Sequence, residues 1–553
     1  MAGPVLALAC TALPAWAQTQ EQSGGSSAAA PARIARGLIV ELKSGGAANA
    51  NLQTPQMLRN QLASVASAAG LPAPDDSPQP VGAHGHLLRF AAPLQGAAID
   101  AAVQSVAANP AVQSVSPDVR MRRLDVTPND PDFMNGQQWY LRATSDPAGG
   151  AAALNATQAW NITTGLASQV VAVVDSGALF THQDLASQFI PGYDFISDVA
   201  AGNTGLGRNP DASDPGDWVS YADLRNPVFA GCTAQPSDWH GSFIAGIIAA
   251  ATNNALGVAG INWNARILPV RVSGKCGAWL SDIIDGVRWA AGYSISGAPD
   301  NPTPARIINI SLGGESGEAC EPAYQSAIND AISAGSLVVV AAGNSSAAAP
   351  SDPANCSGVL AVGAVRQDGL KTFYSNFGAG MGLMAPGGAG ESGLPNDIMT
   401  STSNTGTQGP VADAYAQAAG TSFAAPMVSG VASLMLAVNP SLTPAQLISM
   451  LEQSARPFPS NAAYPACADG LASACNCTAQ TCGAGLLDAN AAVQLAAGIN
   501  PGSGGANNSQ GSGSNSGSQG GGGATHWLWG LGLWGLAAAA LWQRRRKPAA
   551  NRT

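Results

Sequence analysis

Between about residue 128 and residue 499 the sequence alternates short apolar runs with stretches of helical hydrophobic spacing. Apolar runs bounded by turn residues are typical of strands buried on both faces of a parallel sheet. Alternation of such runs with amphipathic helices indicates an α/β fold with a mostly parallel sheet covered on both faces. The runs predict strands at 169–174, 265–272, 306–311, 336–342 and 358–365, and helices at 240–251, 279–291, 321–334, 422–438 and 443–454.

A smaller pattern of the same kind precedes this region, beginning at about residue 36. Its order of elements suits a small α+β domain of ferredoxin-like type. An unrelated interaction domain is the alternative. The pattern predicts strands at 37–42, 86–90 and 112–117, and helices at 55–69 and 97–108.

The stretch from Gly420 to Leu436 combines a turn, a helix start and an apolar helical repeat. Gly420 allows a tight turn, and Thr421 and Ser422 stand where a helix N-cap belongs. A hydroxyl there feels the positive end of the helix dipole and lies beside free backbone N–H groups, which suits a nucleophile whose attack creates an oxyanion. Ser422 is therefore a candidate nucleophile, although an ordinary N-cap serine would have the same surroundings.

A serine nucleophile requires a base that takes its proton and a third group that orients the base. Of the five histidines, His240 stands directly before a helical apolar run, and His182, in a polar loop, is its nearest rival. Asp175 ends a continuous apolar run, and the carboxyl end of a buried parallel strand is where open α/β sheets place their sites. Each residue alone also has a structural reading, as a helix-start histidine or a strand-end turn aspartate.

Three motifs together resemble the subtilisin-like serine peptidases, or subtilases. Asp-Ser-Gly at 175–177, His-Gly-Ser at 240–242 and Gly-Thr-Ser-Phe-Ala-Ala-Pro at 420–426 follow one another in the order of that family. The resemblance implies a three-layer subtilisin-like fold for residues 128–499 and an activity of serine endopeptidase type.

The resemblance also assigns roles to single residues. It implies Ser422 as the nucleophile, His240 as general base and then general acid, and Asp175 as the group that holds the imidazole tautomer. Asn344, after the apolar run that begins at Val338, matches the family's oxyanion asparagine. A histidine of ordinary pKa would make activity rise at about pH 6–7.

Further family features concern substrate and metal. The segment beginning at Ile310 resembles the family's substrate-pairing edge, which places Ser311, Leu312 and Gly313 in the first specificity pocket.

Asp184 and Asn254 match the family's ligands for a structural Ca²⁺, helped by Gln137 or Gln138. Hard cations prefer such oxygen ligands. Simple turn residues are the alternative, and no cofactor is expected for catalysis.

The N-terminal part of the chain reads as secretory and processed. Residues 1–17 are apolar and close on Ala15-Trp16-Ala17, as in a signal peptide, although no basic residue precedes Arg33. Residues 18–123 would then be a propeptide, with an inhibitor-like domain at about 36–122. The turn-rich, charged segment between Arg120 and Trp139 is the expected processing region, because a peptidase needs an extended, accessible chain.

The C-terminal part reads as a linker followed by a membrane or sorting segment. Residues 500–523 are rich in Gly, Ser and Asn, which is typical of a flexible linker. Within 524–547, an apolar stretch from Trp527 to Trp542 precedes four basic residues, and this arrangement resembles the C-terminal sorting signals of some Gram-negative bacteria. A soluble core helix is the alternative.

Eight cysteines follow the predicted signal segment, which suggests disulfides in a secreted chain. Cys232 with Cys276 and Cys320 with Cys356 are the expected long-range pairs, because each pair belongs to loops on one strand-end face. The last four cysteines lack paired C-x₂-C units, which disfavours a metal cluster and favours two local bridges. These four are Cys467, Cys475, Cys477 and Cys482.

Charge excludes one class of partner. Residues 124–543 hold 11 Lys and Arg against 28 Asp and Glu, and this acidity argues against nucleic-acid binding. The expected partners are protein or peptide substrates, the chain's own propeptide as inhibitor, and a membrane. The expectation is a secreted or surface-anchored serine endopeptidase. A catalytically silent binding protein on the same scaffold and a processing peptidase with one substrate are the alternatives.

Overall fold

The computed structural model describes residues 34–43, 54–71, 79–82, 84–119, 126–314, 319–391, 393–394 and 397–499. The predicted signal peptide, the basic residues 120–123, the linker and the C-terminal segment lie outside these residues. The predictions for them therefore remain predictions.

The described strands, numbered in chain order, are β1 Ile34–Leu42, β2 Gln79–Val81, β3 Gly85–Gln95, β4 Val112–Val119, β5 Val170–Asp175, β6 Tyr193–Asp194, β7 Arg266–Arg271, β8 Ser273–Gly274, β9 Gly277–Ala278, β10 Ile307–Ile310, β11 Leu337–Ala341, β12 Leu360–Val365, β13 Leu383–Pro386, β14 Met399–Asn404 and β15 Asp413–Ala418. The described α-helices are α1 Pro55–Ala68, α2 Ala97–Ala107, α3 Pro131–Met134, α4 Ala156–Ala159, α5 Val199–Gly202, α6 His240–Ala249, α7 Leu280–Ala290, α8 Pro322–Ser333, α9 Thr421–Val438, α10 Pro444–Ser454, α11 Ala479–Cys482 and α12 Ala489–Ala496.

A seven-stranded sheet with the order β13-β12-β11-β10-β5-β7-β6 forms the centre of the larger part of the chain. Its described ladders are all parallel. The five strands and five helices predicted for this region are confirmed, with bounds within two residues. The expected α/β fold with a mostly parallel sheet is therefore confirmed.

Several elements were not predicted. Strand β13 is short and ends in Pro386, and the hairpin strand β14 reads Met-Thr-Ser-Thr-Ser-Asn, so neither has the signature of an apolar buried strand. The hydroxyls of β14 are nonetheless buried. Two of them, Ser401 Oγ and Thr402 Oγ1, donate to main-chain carbonyls of helix α6 at 2.8 and 2.7 Å. Buried hydroxyls that find such acceptors avoid the cost of desolvation.

Helix α9 runs through the core. Every residue from Thr421 to Leu436 is buried except Ser422. Among the described helices it alone is long and apolar enough to cross a bilayer, but 83% of it is buried inside the protein. A helix that is apolar all round and packed on every side is a core helix.

The small N-terminal domain has its own sheet and core. Its strands pair antiparallel in the order β2-β3-β1-β4, and the chain order β-α-β-β-α-β is that of a ferredoxin-like fold. This confirms the expected fold and adds β2, whose three residues carry no strand signature. Leu38, Leu62, Phe90 and Val106 are buried in its core.

Four disulfides join the eight described cysteines. Cys232–Cys276 and Cys320–Cys356 are the two predicted long-range pairs. The C-terminal four form the predicted local bridges, Cys467–Cys475 and Cys477–Cys482.

Candidate active site

Three neighbouring strands bring the predicted site residues to one edge of the sheet. In the order β11-β10-β5, Asn344 follows β11 by three residues, Ser311 follows β10 directly and Asp175 ends β5. Helices α6 and α9 begin at His240 and Thr421. Because the carboxyl ends of parallel strands share an edge, the fold collects residues that lie far apart in sequence.

His240 and Asp175 form a direct contact. His240 Nδ1 lies 2.8 Å from Asp175 Oδ1 and 3.0 Å from Oδ2. The carboxylate is 1% exposed and also accepts a hydrogen bond from Ser176 N at 2.8 Å. A carboxylate on Nδ1 holds that nitrogen protonated and leaves Nε2 as the basic atom.

Contacts of the residues on either side of His240 also fix the position of its imidazole. Ser176 Oγ donates to Asp214 Oδ2 at 2.7 Å and accepts from Gly241 N at 3.0 Å, which ties the end of β5 to the first turn of α6. Trp239, directly before His240, has a left-handed backbone with φ of 57°, and its indole Nε1 donates to Gly406 O at 2.9 Å. A bulky residue at positive φ is strained, so the surrounding contacts must fix it there.

Ser422 lies in the first turn of α9 and is bonded reciprocally to Ser311. Ser422 Oγ donates to Ser311 O at 3.2 Å, and Ser311 Oγ donates to Ser422 O at 2.8 Å. In the described part of the chain no hydrogen bond joins Ser422 Oγ to His240, and the Phe423 ring packs on the imidazole with centroids 5.7 Å apart. Catalytic hydrogen bonds in enzymes without substrate are often long or unformed.

Asn344 presents a defined end of its amide to the site. Its Oδ1 accepts from both Thr421 N and Thr421 Oγ1 at 2.9 Å, so Nδ2 is the atom left to donate. Asn344 and Ser422 line one cavity of about 410 Å³ together with Ser311, Leu312 and Gly313. Among the residues that the structure describes, those lining this cavity carry no charged side chain.

The electrostatic surroundings of His240 differ from the expectation of an ordinary histidine. Burial lowers its pKa, but the Asp175 carboxylate, through its charge and its hydrogen bond, and the charges of Asp238 and Asp217 raise the pKa to about 9. A rise of activity at about pH 6–7, which a histidine of ordinary pKa would give, is therefore not expected for this site. The cause is a set of carboxylates that stabilises the imidazolium.

Asp238 and Asp217 were not singled out from the sequence. Asp238 Oδ1 accepts from His240 N at 3.0 Å, and Asp217 Oδ1 accepts from Asp238 N at 3.2 Å. Asp238 stands two residues before His240, so the motif itself held a signal for one of them. Asp217 lies in a long loop, and only the fold brings it near.

The expected calcium residues also come together. Asn254 Nδ2 donates to Asp184 Oδ1 at 2.7 Å, and Val258 N donates to Oδ2 at 3.1 Å. Gln138, one of the two candidate glutamines, instead bonds Ala259 through both amide atoms. The main-chain N of Gln137 donates to Asn135 Oδ1 at 3.0 Å.

A second carboxylate faces the same loop and was missed from the sequence. Asp130 is fully buried and accepts from Asn253 N at 2.8 Å and Asn254 N at 3.3 Å. Burial raises the pKa of both Asp130 and Asp184. No ion pair within the described residues includes either carboxylate, and two buried carboxylates that face one loop offer oxygen ligands of the kind that a hard cation prefers.

His182, the rival base, has a structural setting. It is fully buried, its Nδ1 accepts from Asp184 N at 3.1 Å, and its Nε2 lies 3.1 Å from Ala414 O. Both ring nitrogens are engaged by the main chain.

We expect Asp238→Asn to lower the pKa of the His240 imidazole below about 9, because removing a nearby negative charge destabilises the imidazolium. An NMR titration of the ring measures this pKa directly. Asp469→Asn is the matched control, since it removes an equal charge from an exposed turn. Equal pKa values in the Asp238→Asn variant and the wild type would contradict the electrostatic account.

Comparison with known proteins identifies the family of this chain. Residues 167–513 match the model of the subtilase family (peptidase S8). An extracellular protease of Xanthomonas campestris is 40% identical over 473 residues, 84% of this chain and 74% of the relative. An extracellular basic protease of Dichelobacter nodosus is 38% identical over 72% of this chain and 60% of the relative. A solved structure described as proteases from Pseudoalteromonas arctica has 42% identity and a TM-score of 0.59, and covers 67% of this chain and 100% of that one. The chain belongs to the subtilase family of serine endopeptidases.

Proposed function

We propose that this chain is a secreted endopeptidase that hydrolyses peptide bonds through an acyl-enzyme, with Ser422, His240 and Asp175 as its catalytic triad. The observation that carries the proposal is the buried Asp175 carboxylate on His240 Nδ1, at the sheet edge where α9 presents Ser422. Secretion is supported by the names of the two extracellular relatives and by four disulfides, which persist in oxidising compartments.

The residues divide the reaction between them. Ser422 Oγ turns from Ser311 O toward His240 Nε2, loses its proton to that nitrogen and attacks the substrate carbonyl carbon. The imidazolium is stabilised by Asp175, and it then gives the proton to the departing amine. Water repeats the sequence on the acyl-enzyme and releases the acid.

The negative oxygen formed in each step needs donors. Asn344 Oδ1 accepts hydrogen bonds from Thr421, which leaves Nδ2 as the end of the amide that can donate to the substrate oxygen. Ser422 N lies in the first turn of α9, where backbone N–H groups lack intrahelical acceptors. Together these two groups form the oxyanion hole.

The substrate class follows from the cavity next to Ser422. Its described lining includes Ser311, Leu312 and Gly313 and no charged side chain, which favours a neutral side chain before the cut bond. A charged side chain would lose its hydration there without gaining a partner among these residues. Digestion of a denatured protein mixture separates this broad activity from that of a peptidase with one substrate.

We expect Ser422→Ala to abolish peptide hydrolysis and Asn344→Ala to lower kcat by roughly 10²–10³ with a similar KM, because the amide acts on the oxyanion only in the transition state. Steady-state kinetics with a peptide substrate measure both. Normal turnover by Ser422→Ala would exclude Ser422 as the nucleophile, whereas a wild type that hydrolyses no peptide would favour the catalytically silent scaffold.

In the wild type, kcat/KM should rise as the pH approaches about 9, since His240 must lose its proton to act as base.

We propose further that the small N-terminal domain is an inhibitory propeptide within residues 18–123. It folds around its own core directly before the peptidase, which is the position of such domains in the family. Release of this domain would then depend on Ser422.

The C-terminal residues 524–547 are proposed as a membrane anchor or sorting segment after the linker 500–523. Basic residues stay on the cytoplasmic side of a membrane, so Arg544 to Lys547 would face the cytoplasm and the peptidase the outside.

Deleting residues 524–553 should shift the enzyme from the membrane fraction to the soluble medium with unchanged specific activity. Fractionation followed by a peptide assay measures the shift. Replacing Arg544 to Lys547 by alanine is a matched control that keeps the apolar stretch and should disturb orientation more than membrane association. A full-length, untrimmed precursor found wholly in the soluble fraction would contradict the anchor.

Calcium is proposed as a structural ion held by Asp184 and Asp130, with oxygen atoms of the loop at Asn254. Such an ion would neutralise the two buried carboxylates and fix the loop after α6. It takes no part in the reaction.

Excess EDTA should lower the melting temperature, because an ion that binds only the folded state adds about 2.7 kcal/mol at 100 times its Kd. Calorimetry with and without chelator measures the change. The Asp130→Asn variant should lose most of this response, whereas Asp469→Asn should keep it. An unchanged melting temperature in EDTA, with no metal by elemental analysis, would remove the site.

A further inference from the structure

Asn376 is a fully buried side chain in the segment between β12 and β13, and neither the motifs nor the proposed reaction accounts for it. Its amide Nδ2 donates to Ala342 O and to Ser351 Oγ, both at 3.0 Å. Its main-chain N donates to Gly343 O at 2.9 Å. These bonds hold the chain just before Asn344.

The other end of the same amide holds the chain just after Asn344. Asn376 Oδ1 accepts from Ser345 N, Ser345 Oγ and Ala347 N, each at 3.0 Å. One planar side chain therefore spans both sides of the oxyanion asparagine. Thr421 bonds the Asn344 side chain and accepts from Gly343 N at 3.2 Å, whereas Asn376 bonds the main chain on both sides of Asn344.

Close packing supports this contact. Gly343 has a φ of 106°, and a Cβ built there would lie 2.4 Å from Asn376 Nδ2 and 2.4 Å from Ser351 Oγ. The main chain beside Asn344 thus approaches the Asn376 amide more closely than any side chain at position 343 would permit.

The segment that carries Asn376 is itself held by buried hydrogen bonds. Lys371 Nζ, fully buried, donates to Thr372 O at 2.7 Å and to Ser375 O at 2.9 Å. Ser375 Oγ donates to Asn376 O at 2.9 Å. The segment that carries Asn376 is therefore fixed by buried bonds of its own, so it can serve as a rigid support for the loop at Asn344.

We propose that Asn376 is a positioning residue for the oxyanion hole, which acts by holding the Asn344 amide at the place where the negative oxygen forms. The inference rests on the proposed role of Asn344. Oxyanion donors must be held in place before the reaction, since a donor that has to reorganise loses much of its effect. A misplacement of about 1 Å can cost roughly 10²-fold in rate.

A buried asparagine of similar bonding provides the matched control. Asn262 is also fully buried, donates from Nδ2 to Ser433 Oγ at 2.8 Å and accepts at Oδ1 from Asn264 N and Ala265 N. It precedes β7 and so lies at the amino end of a strand, at the opposite edge of the sheet from Asn344. Its loss should lower stability without touching the oxyanion.

The experiment compares Asn376→Ala, Asn262→Ala and Asn344→Ala in the full chain, with the active fraction counted by titration with an irreversible serine reagent. We expect Asn376→Ala to lower kcat per active site by at least about 10-fold, up to the roughly 10²–10³ of losing the donor itself, with KM changed less than about 3-fold. Asn262→Ala should keep kcat per active site while its melting temperature falls.

A double-mutant cycle supplies the decisive comparison. If Asn376 acts through Asn344, adding Asn376→Ala to Asn344→Ala should lower kcat by less than about 3-fold further. Equal losses in both backgrounds, or an unchanged kcat in Asn376→Ala, would overturn the inference. A normal kcat in Asn344→Ala alone would overturn the proposed oxyanion role instead, so the two failures are distinguishable.

The isosteric Asn376→Asp variant covers the case in which the alanine variant does not fold. It keeps the acceptor that faces Ser345 and Ala347 and loses the donations to Ala342 and Ser351. We expect a kcat loss, because a carboxyl oxygen replaces the amide donor that faces Ala342 O, and the same lack of effect in the Asn344→Ala background. A loss that persists in that background would overturn the inference as well.

Discussion

Burial of helix α9 against the parallel sheet is the constraint on which the rest of the site depends. Between Thr421 and Leu436, Ser422 is the one residue of the helix that is partly exposed, because the others are packed in the core. With the helix body fixed by apolar contacts, its first turn must lie at the carboxyl edge of β10 and β11. Ser422 is thus placed by hydrophobic packing, and the hydrogen bonds around it only adjust its orientation.

Buried carboxylates close to His240 are a second feature of the site. Asp175 and Asp214 both lie within the protein and are satisfied by Ser176 and neighbouring N–H groups. Burial raises the pKa of Asp214 to about 6, and burial with the charges of Asp238 and Asp214 raises the pKa of Asp217 to about 7. Negative charge near His240 stabilises the protonated form of its imidazole.

The sequence was sufficient for the architecture because apolar runs and helical spacing are local signals. The strands ending at Asp175 and Ala341 and the helix at Ser422 were predicted close to their observed bounds. The hairpin of β14 and β15 could not be predicted, since the buried hydroxyls of Ser401 and Thr402 bond to acceptors on helix α6 that lie more than a hundred residues away. Polar strands look like loops until their partners are known.

The same limit applies to the site. Residues that are proposed to react carry strong motifs, whereas residues that are proposed to support them are ordinary asparagines and aspartates in loops, such as Asp217 and Asn376. Their contribution depends on contacts between segments: Asn376 meets the chain around Asn344 across 29 to 34 positions. A buried amide whose donor and acceptor atoms are all hydrogen-bonded costs little free energy to bury. It also fixes the local geometry closely, since any shift breaks several hydrogen bonds at once. Apolar packing therefore brings the reacting groups to one edge of the sheet, and buried polar side chains set the fine positions on which transition-state stabilisation depends.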